Sequence, residues 1–197
     1  MRYEKGHRSA TRQRIVEVAA RRFRESGVAA VGLTGVMADA GLTNGAFYGH
    51  FESKEALVCD ALCHALDERE ADFVASGAAG ADLESSLRGY LNAAHRDNPG
   101  IGCPSAALLP EIGRHADATR AAFTRHLVTF VDLIAGLLPA GEPAHARATA
   151  TALFGLVVGT LQLARAVSDP QLSDQILEAG IQAGLALGLG APVDAPS

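Results

Sequence analysis

Gly41 to Val58 reads GLTNGAFYGHFESKEALV, and the order of residue types in this stretch is that of a turn, a short helix, a second turn and the start of a long helix. Gly41 tolerates the left-handed backbone that stops a helix. Thr43 is expected to cap a short helix over Asn44 to His50 whose inner face presents Phe47 and Phe51. Ser53 is a good cap for the next helix, with Glu55 in its first turn and Leu57, Val58, Ala61, Leu62, Ala65 and Leu66 at helical spacing behind it. Immediately upstream, Leu33 to Ala40 reads as another short helix, with Gly32 a permissive cap and Val36 and Ala40 turned inward. Two short helices joined by a glycine turn form a helix-turn-helix.

Working outward, Ser9 to Ser26 carries Ile15, Val16, Ala19, Ala20 and Phe23 on one face and most of its arginines elsewhere, which predicts a first amphipathic helix stopped by Gly27. Charge is distributed unevenly. The first 24 residues hold eight arginines and lysines against Glu4 and Glu17, a net +6, although the chain of 197 residues is at −5. One end therefore attracts polyanions and the remainder repels them. Hydrophobic residues at 48% with abundant alanine and 21 glycines favour closely packed helices, and the fold class is read as all-α with about nine helices.

The recognition chemistry follows from position. Thr43 and Asn44 stand at the start of the short helix, where base edges are met, and an asparagine amide can both donate to and accept from adenine. Gly45 and Ala46 let the backbone approach closely. Tyr48 and His50 lie opposite Phe47 and Phe51, each with a donor at its tip for a phosphate. Lys54 sits in the first turn of a helix, where a cation opposes the macrodipole unless an anion is bound beside it. In its glycine turn, its Tyr-x-His-Phe and its Ser-Lys-Glu, the stretch resembles the signature of the TetR family of transcriptional regulators. The resemblance implies a DNA-binding repressor in which Thr34, on the preceding helix, also reaches bases. It departs from the commoner pattern at Val31 and Gly32, where a hydroxyl residue usually caps the second helix, and at Asn44, so no operator sequence carries over.

Ser76 to Ala81 is the first flexible break. Five helices are expected beyond it, over about Asp82 to Asp97, Pro104 to His115, Asp117 to Leu138, Pro143 to Ser168 and Gln171 to Leu189. The expected division is a DNA-binding domain over 1–56, a ligand-binding and dimerisation domain over 57–189 and a loose tail over 190–197. Gly155 and Gly159 on the eighth helix, and Gly180, Gly184 and Gly188 on the ninth, line helix faces that permit close approach of another helix. The resemblance implies that these two helices form a homodimer interface, which would bring two recognition helices to a near-palindromic double-stranded operator. Between the two regions, Tyr90, His95, Leu108, Phe123, Leu127, Phe130 and Phe154 are candidates to line a pocket for a small-molecule inducer. Cys103 precedes Pro104 and should cap a helix, a position that favours the thiolate. The segment from Gly102 resembles a branch of the family in which a cysteine here can sense electrophiles or oxidants.

Other chemistries find little support. Of Cys59, Cys63 and His64, only the two cysteines share a face, so no metal site is expected, and no cofactor either. No GxSxG, HExxH or GxGxxG occurs and no enzyme is expected. The apolar run Ala148 to Val167 includes Arg165, Gln162 and three threonines, and reads as a buried or subunit-contact helix and not a membrane span. Three cysteines without a secretory segment point to the cytoplasm. The rival to a repressor is a helical interaction module of the same fold without specific DNA binding.

Overall fold

A computed structural model of the chain describes the backbone of residues 2–190 and the side chains of residues 7–190. Among the described residues there are nine α-helices and two 3₁₀ segments. In chain order they are α1 (Arg2–Ser26), α2 (Leu33–Asp39), a 3₁₀ helix (Asn44–Gly49), α3 (Lys54–Ala78), α4 (Leu83–Tyr90), α5 (Ala93–Asp97), a 3₁₀ turn (Pro99–Ile101), α6 (Pro104–Ile112), α7 (Asp117–Ala135), α8 (Pro143–Ala166) and α9 (Pro170–Leu189).

The chain divides into two compact units, the first formed by residues 1–69 and 99–126 and the second by 70–98 and 127–197. Compactness thus groups the residues differently from the expected division at 56/57, because α6 and the start of α7 pack with the helix-turn-helix. Of the expected tail, residues 191–197 lie outside the described residues.

In the first unit the helical periodicity of the sequence becomes the core. Ile15, Ala19, Val36, Met37, Phe47 and Leu57 are buried with Val16, Ala20, Phe23, Phe51, Val58 and Leu62, and Leu108 and Ile112 of α6 join them. Gly27 stops α1 at φ +79° and Gly41 ends the second helical segment at φ +69°, conformations that glycine adopts without strain. Ser53 caps α3 through its hydroxyl, which accepts the Ala56 amide at 3.1 Å.

Two local expectations are corrected. Thr43 has the backbone of a cap but makes no side-chain cap bond, and the segment it opens is 3₁₀, not α-helical. The stretch expected as one helix from Asp82 breaks at Leu91 and Asn92. There the Asn92 amide donates to the carbonyls of Arg88 and Gly89 while its oxygen accepts the His95 amide, so one side chain replaces the backbone bonds of a continuous helix.

The second unit is built on α8 and α9, which pack along each other, with α4 against α9. Here the expectation for Gly180, Gly184 and Gly188 is corrected. A Cβ at Gly180 would meet Thr160 and Leu91, at Gly184 the Leu87 side chain, and at Gly188 Leu83, Leu138 and Leu153. These glycines are buried against their own chain and are not free to receive a second one. Gly155 and Gly159 have open space where a Cβ would stand. Around them α8 shows Ala152, Leu163 and Ala166 to solvent, and α9 shows Leu172, Ala179, Leu187 and Leu189. α8 is also the one described helix long and apolar enough to cross a membrane, at mean hydropathy 1.3.

Candidate nucleic-acid interface

Phe47 decides how the recognition segment is presented. It is fully buried in the core of the first unit, stacked 5.6 Å from Phe51, and Tyr48 meets its edge at 5.2 Å. Burying an aromatic ring stabilises the fold by about 1.5–3 kcal/mol, enough to fix which side of so short a segment faces solvent. Thr43, Asn44, Gly45, Tyr48 and Gly49 are therefore exposed, Ala46 is half-buried, and Tyr48 keeps 74% of its surface. Thr34, in the first turn of α2, is exposed as well.

Cations surround this surface in two ways. Arg8 donates to the Gly49 carbonyl at 2.6 Å, so a guanidinium caps the C-terminal end of the recognition segment beside Tyr48 and His50. Sequence reasoning counted Arg8 only as part of a basic tract; its reach across 41 residues is a tertiary fact. Arg12 lies over the Phe51 ring at 4.7 Å and pairs with Asp60, and Arg22 pairs with Asp39 at 2.5 Å, holding that carboxyl below its ordinary range. Arg24 is different: it is buried, donates to the Gly102 carbonyl at 3.3 Å and stands 3.6 Å from Glu68.

His50 is half-buried, and its Nδ1 is buried without a hydrogen-bond partner. Burial, then the charges of Arg8 and Arg12, push its pKa below the ordinary histidine value. Lys54, expected to reach outward, donates its Nζ to the Val28 carbonyl at 2.8 Å. The ammonium has further donors, but its first partner is the α1–α2 connection.

The segment 15–61, which holds the buried face of α1, α2, the recognition segment and the start of α3, matches the family model for bacterial regulatory proteins of the tetR family. Over these residues the chain carries a TetR-family helix-turn-helix. A curated relative, the HTH-type transcriptional repressor KstR2 of Rhodococcus jostii, is 27% identical over 135 residues, which cover 68% of this chain and 66% of that protein. Among solved structures, a TetR-family regulator from Cytophaga hutchinsonii superposes with a TM-score of 0.75 at 24% identity, covering 96% of this chain and 98% of that one. FadR from Bacillus subtilis, in complex with stearoyl-CoA, superposes with a TM-score of 0.62 at 15% identity over 87% of this chain and 98% of that one.

The remaining candidates concern the ligand, and they fall in both units. Cys103, Leu108 and Phe123 belong to the first unit, where Leu108 is in the core and Phe123 packs against it. Cys103 is buried at the cap of α6, ahead of Pro104, and makes no side-chain cap bond. Tyr90, His95, Leu127, Phe130 and Phe154 belong to the second unit. There His95 Nδ1 lies 2.7 Å from the Tyr90 carbonyl and Arg165 donates to the His95 carbonyl at 2.7 Å, so this histidine is engaged in holding α5. Phe130 stacks obliquely between Phe73 at 5.0 Å and Phe154 at 5.5 Å, an aromatic group in which Phe73 was not foreseen. The Cys63 thiol is pushed up to about 11 by burial and by Cys59, which disfavours its thiolate.

Proposed function

We propose that the chain is a homodimeric repressor that reads a near-palindromic duplex through Thr34, Thr43, Asn44, Gly45, Ala46, Tyr48, His50 and Lys54, and that a small molecule releases it. The observation that carries this reading is the exposed polar row anchored from behind by the buried Phe47, with Arg8 at its end. Residues 1–56 meet the DNA, while residues 57–189 sense the ligand and pair the two copies. The outward apolar stripes of α8 and α9, around Gly155 and Gly159, supply the pairing surface. A twofold axis there puts two recognition segments on one side of the duplex.

Release is a two-state change in their spacing. Moving the population from about 1:99 to 99:1 needs roughly 5.5 kcal/mol of differential ligand binding. The aromatic group Phe73, Phe130 and Phe154 is the favoured place for an apolar inducer, and the acyl-CoA held by the Bacillus neighbour supports a ligand of that general kind. An electrophile acting on Cys103 is a second route to release; a Cys103→Ser chain that still leaves DNA on exposure to a panel of electrophiles excludes it. The protein is read as cytoplasmic, without cofactor or catalysis.

The test is selection of bound duplexes from a random pool, followed by a salt titration. A repressor enriches an inverted repeat and its affinity falls steeply with ionic strength. Equal retention of all duplexes favours the interaction-module reading instead.

A further inference from the structure

The α6–α7 corner grips the helix-turn-helix through a closed ring of polar contacts, all within the first unit. Glu111, near the end of α6, accepts the backbone amides of Val28 and Ala29 at 3.2 and 3.1 Å, one on each carboxylate oxygen. Its approach passes Gly27, where a Cβ would stand 2.7 Å from the Glu111 Oε1. The carbonyl of the same Val28 accepts from Lys54 Nζ at 2.8 Å, at the first residue of α3. The next residue, Glu55, faces the corner: its carboxylate contacts His115 Nδ1 at 2.8 Å and accepts the Thr119 hydroxyl at 2.7 Å and the Ala116 amide at 3.2 Å. Thr119 is fully buried. Burial opposes the charge on Glu55, but the bonds from Thr119, His115 and Ala116 outweigh it and hold its carboxyl below the ordinary range.

The ring thus runs from Val28 through Glu111, the α6–α7 corner, Glu55 and Lys54 back to Val28. It closes over a cavity lined by Phe23, Val28, Leu62, Leu108, Glu111 and His115, among others, with room for roughly one water molecule. Two carboxylates in adjoining places make charge-assisted bonds, the stronger class. These polar groups lie beside the apolar core, to which α6 adds Leu108 and Ile112, and do not fill it. What the ring does tie together is the α1–α2 connection, through Val28 and Ala29, and the first turn of α3, through Lys54 and Glu55, the two stretches that flank the α2 and recognition segments.

We propose that Glu111 and Glu55 are positioning residues for operator recognition, holding the helix-turn-helix against the α6–α7 corner in the presentation of Thr43 and Asn44 that a specific duplex needs. This rests on the DNA-binding reading above.

The experiment measures binding of the full-length chain, Glu111→Ala, Glu55→Ala and the double variant to a duplex selected by the unaltered chain and to a scrambled duplex of equal length. Each single variant is expected to lose about tenfold or more in operator affinity, with little change on the scrambled duplex and the same salt slope. The double variant should lose little beyond either single one, because one break already opens the ring. Glu111→Gln, which keeps one accepting oxygen, should be intermediate, and it serves the same comparison if Glu111→Ala does not fold. Equal losses on both duplexes, or losses that simply add, would overturn the latch while leaving DNA recognition standing. Failure of the unaltered chain to prefer any duplex overturns both.

Discussion

Gly155 and Gly159 on α8 repeat the four-residue spacing of Gly180, Gly184 and Gly188 on α9, yet the two sets meet different neighbours. Side chains of Thr160, Leu87 and Leu83 fill the space above the α9 glycines, whereas the α8 pair looks into open space between exposed Ala152 and Leu163. The spacing states that something comes close to each helix. It does not state whether that something belongs to the same chain.

The largest effect is expected on the open side. Leu163, 61% exposed, should lie between copies, and Leu163→Glu would convert the dimer to a monomer by light scattering. Operator affinity should then fall roughly 10²–10⁴-fold through lost bivalency, with monomer folding intact; a dimer that survived would move the interface elsewhere. On the filled side, Gly188→Val forces Leu83, Leu138 and Leu153 apart and should destabilise the chain by about 1–3 kcal/mol in thermal or denaturant unfolding. Gly155→Ala is the matched control. It should leave the monomer fold unharmed or steadier by about 0.5–1 kcal/mol, while weakening self-association in sedimentation. If both substitutions damaged folding alike, the contrast between the helices would be lost.

Smaller effects test whether the polar face of the first unit is as specific as the apolar face of the second. Asn44→Ala should cost about 1–3 kcal/mol of discrimination at one base pair, read by competition among selected duplexes, without altering the dimer. The smallest is a pH effect at His50. Its pKa is depressed in the free protein by burial, Arg8 and Arg12, and a phosphate would raise it, so DNA binding takes up a proton. Operator affinity should rise severalfold as pH falls below about 6.5, and His50→Gln should remove that slope. Folding stability moves the other way over the same range, because the unfolded chain binds the proton more readily.

How much was legible depended on range. The buried faces of α1 and α3, the stops at Gly27 and Gly41 and the inward Phe47 and Phe51 all rest on neighbours within a turn or two, and the sequence carries them. Charge was read less well. A count of cations near the N-terminus treats Arg24 like Arg8, although one is buried against the Gly102 carbonyl and the other caps the recognition segment. The helix dipole assigns Lys54 outward, but its ammonium donates first to the Val28 carbonyl. Glu111 and His115 gave no signal, since their partners lie 83 and 60 residues away.

The sequence by itself determined the all-α class, the helix-turn-helix and the inward aromatic face of its second element, because period, caps and glycine stops are local chemistry that each short segment satisfies alone. Only the tertiary structure decided which glycines are already occupied, which cations are still available to a phosphate and which carboxylates hold the recognition element in place. Those outcomes depend on what packs opposite, and a free carboxylate and one that closes a ring are the same letter until the chain has folded.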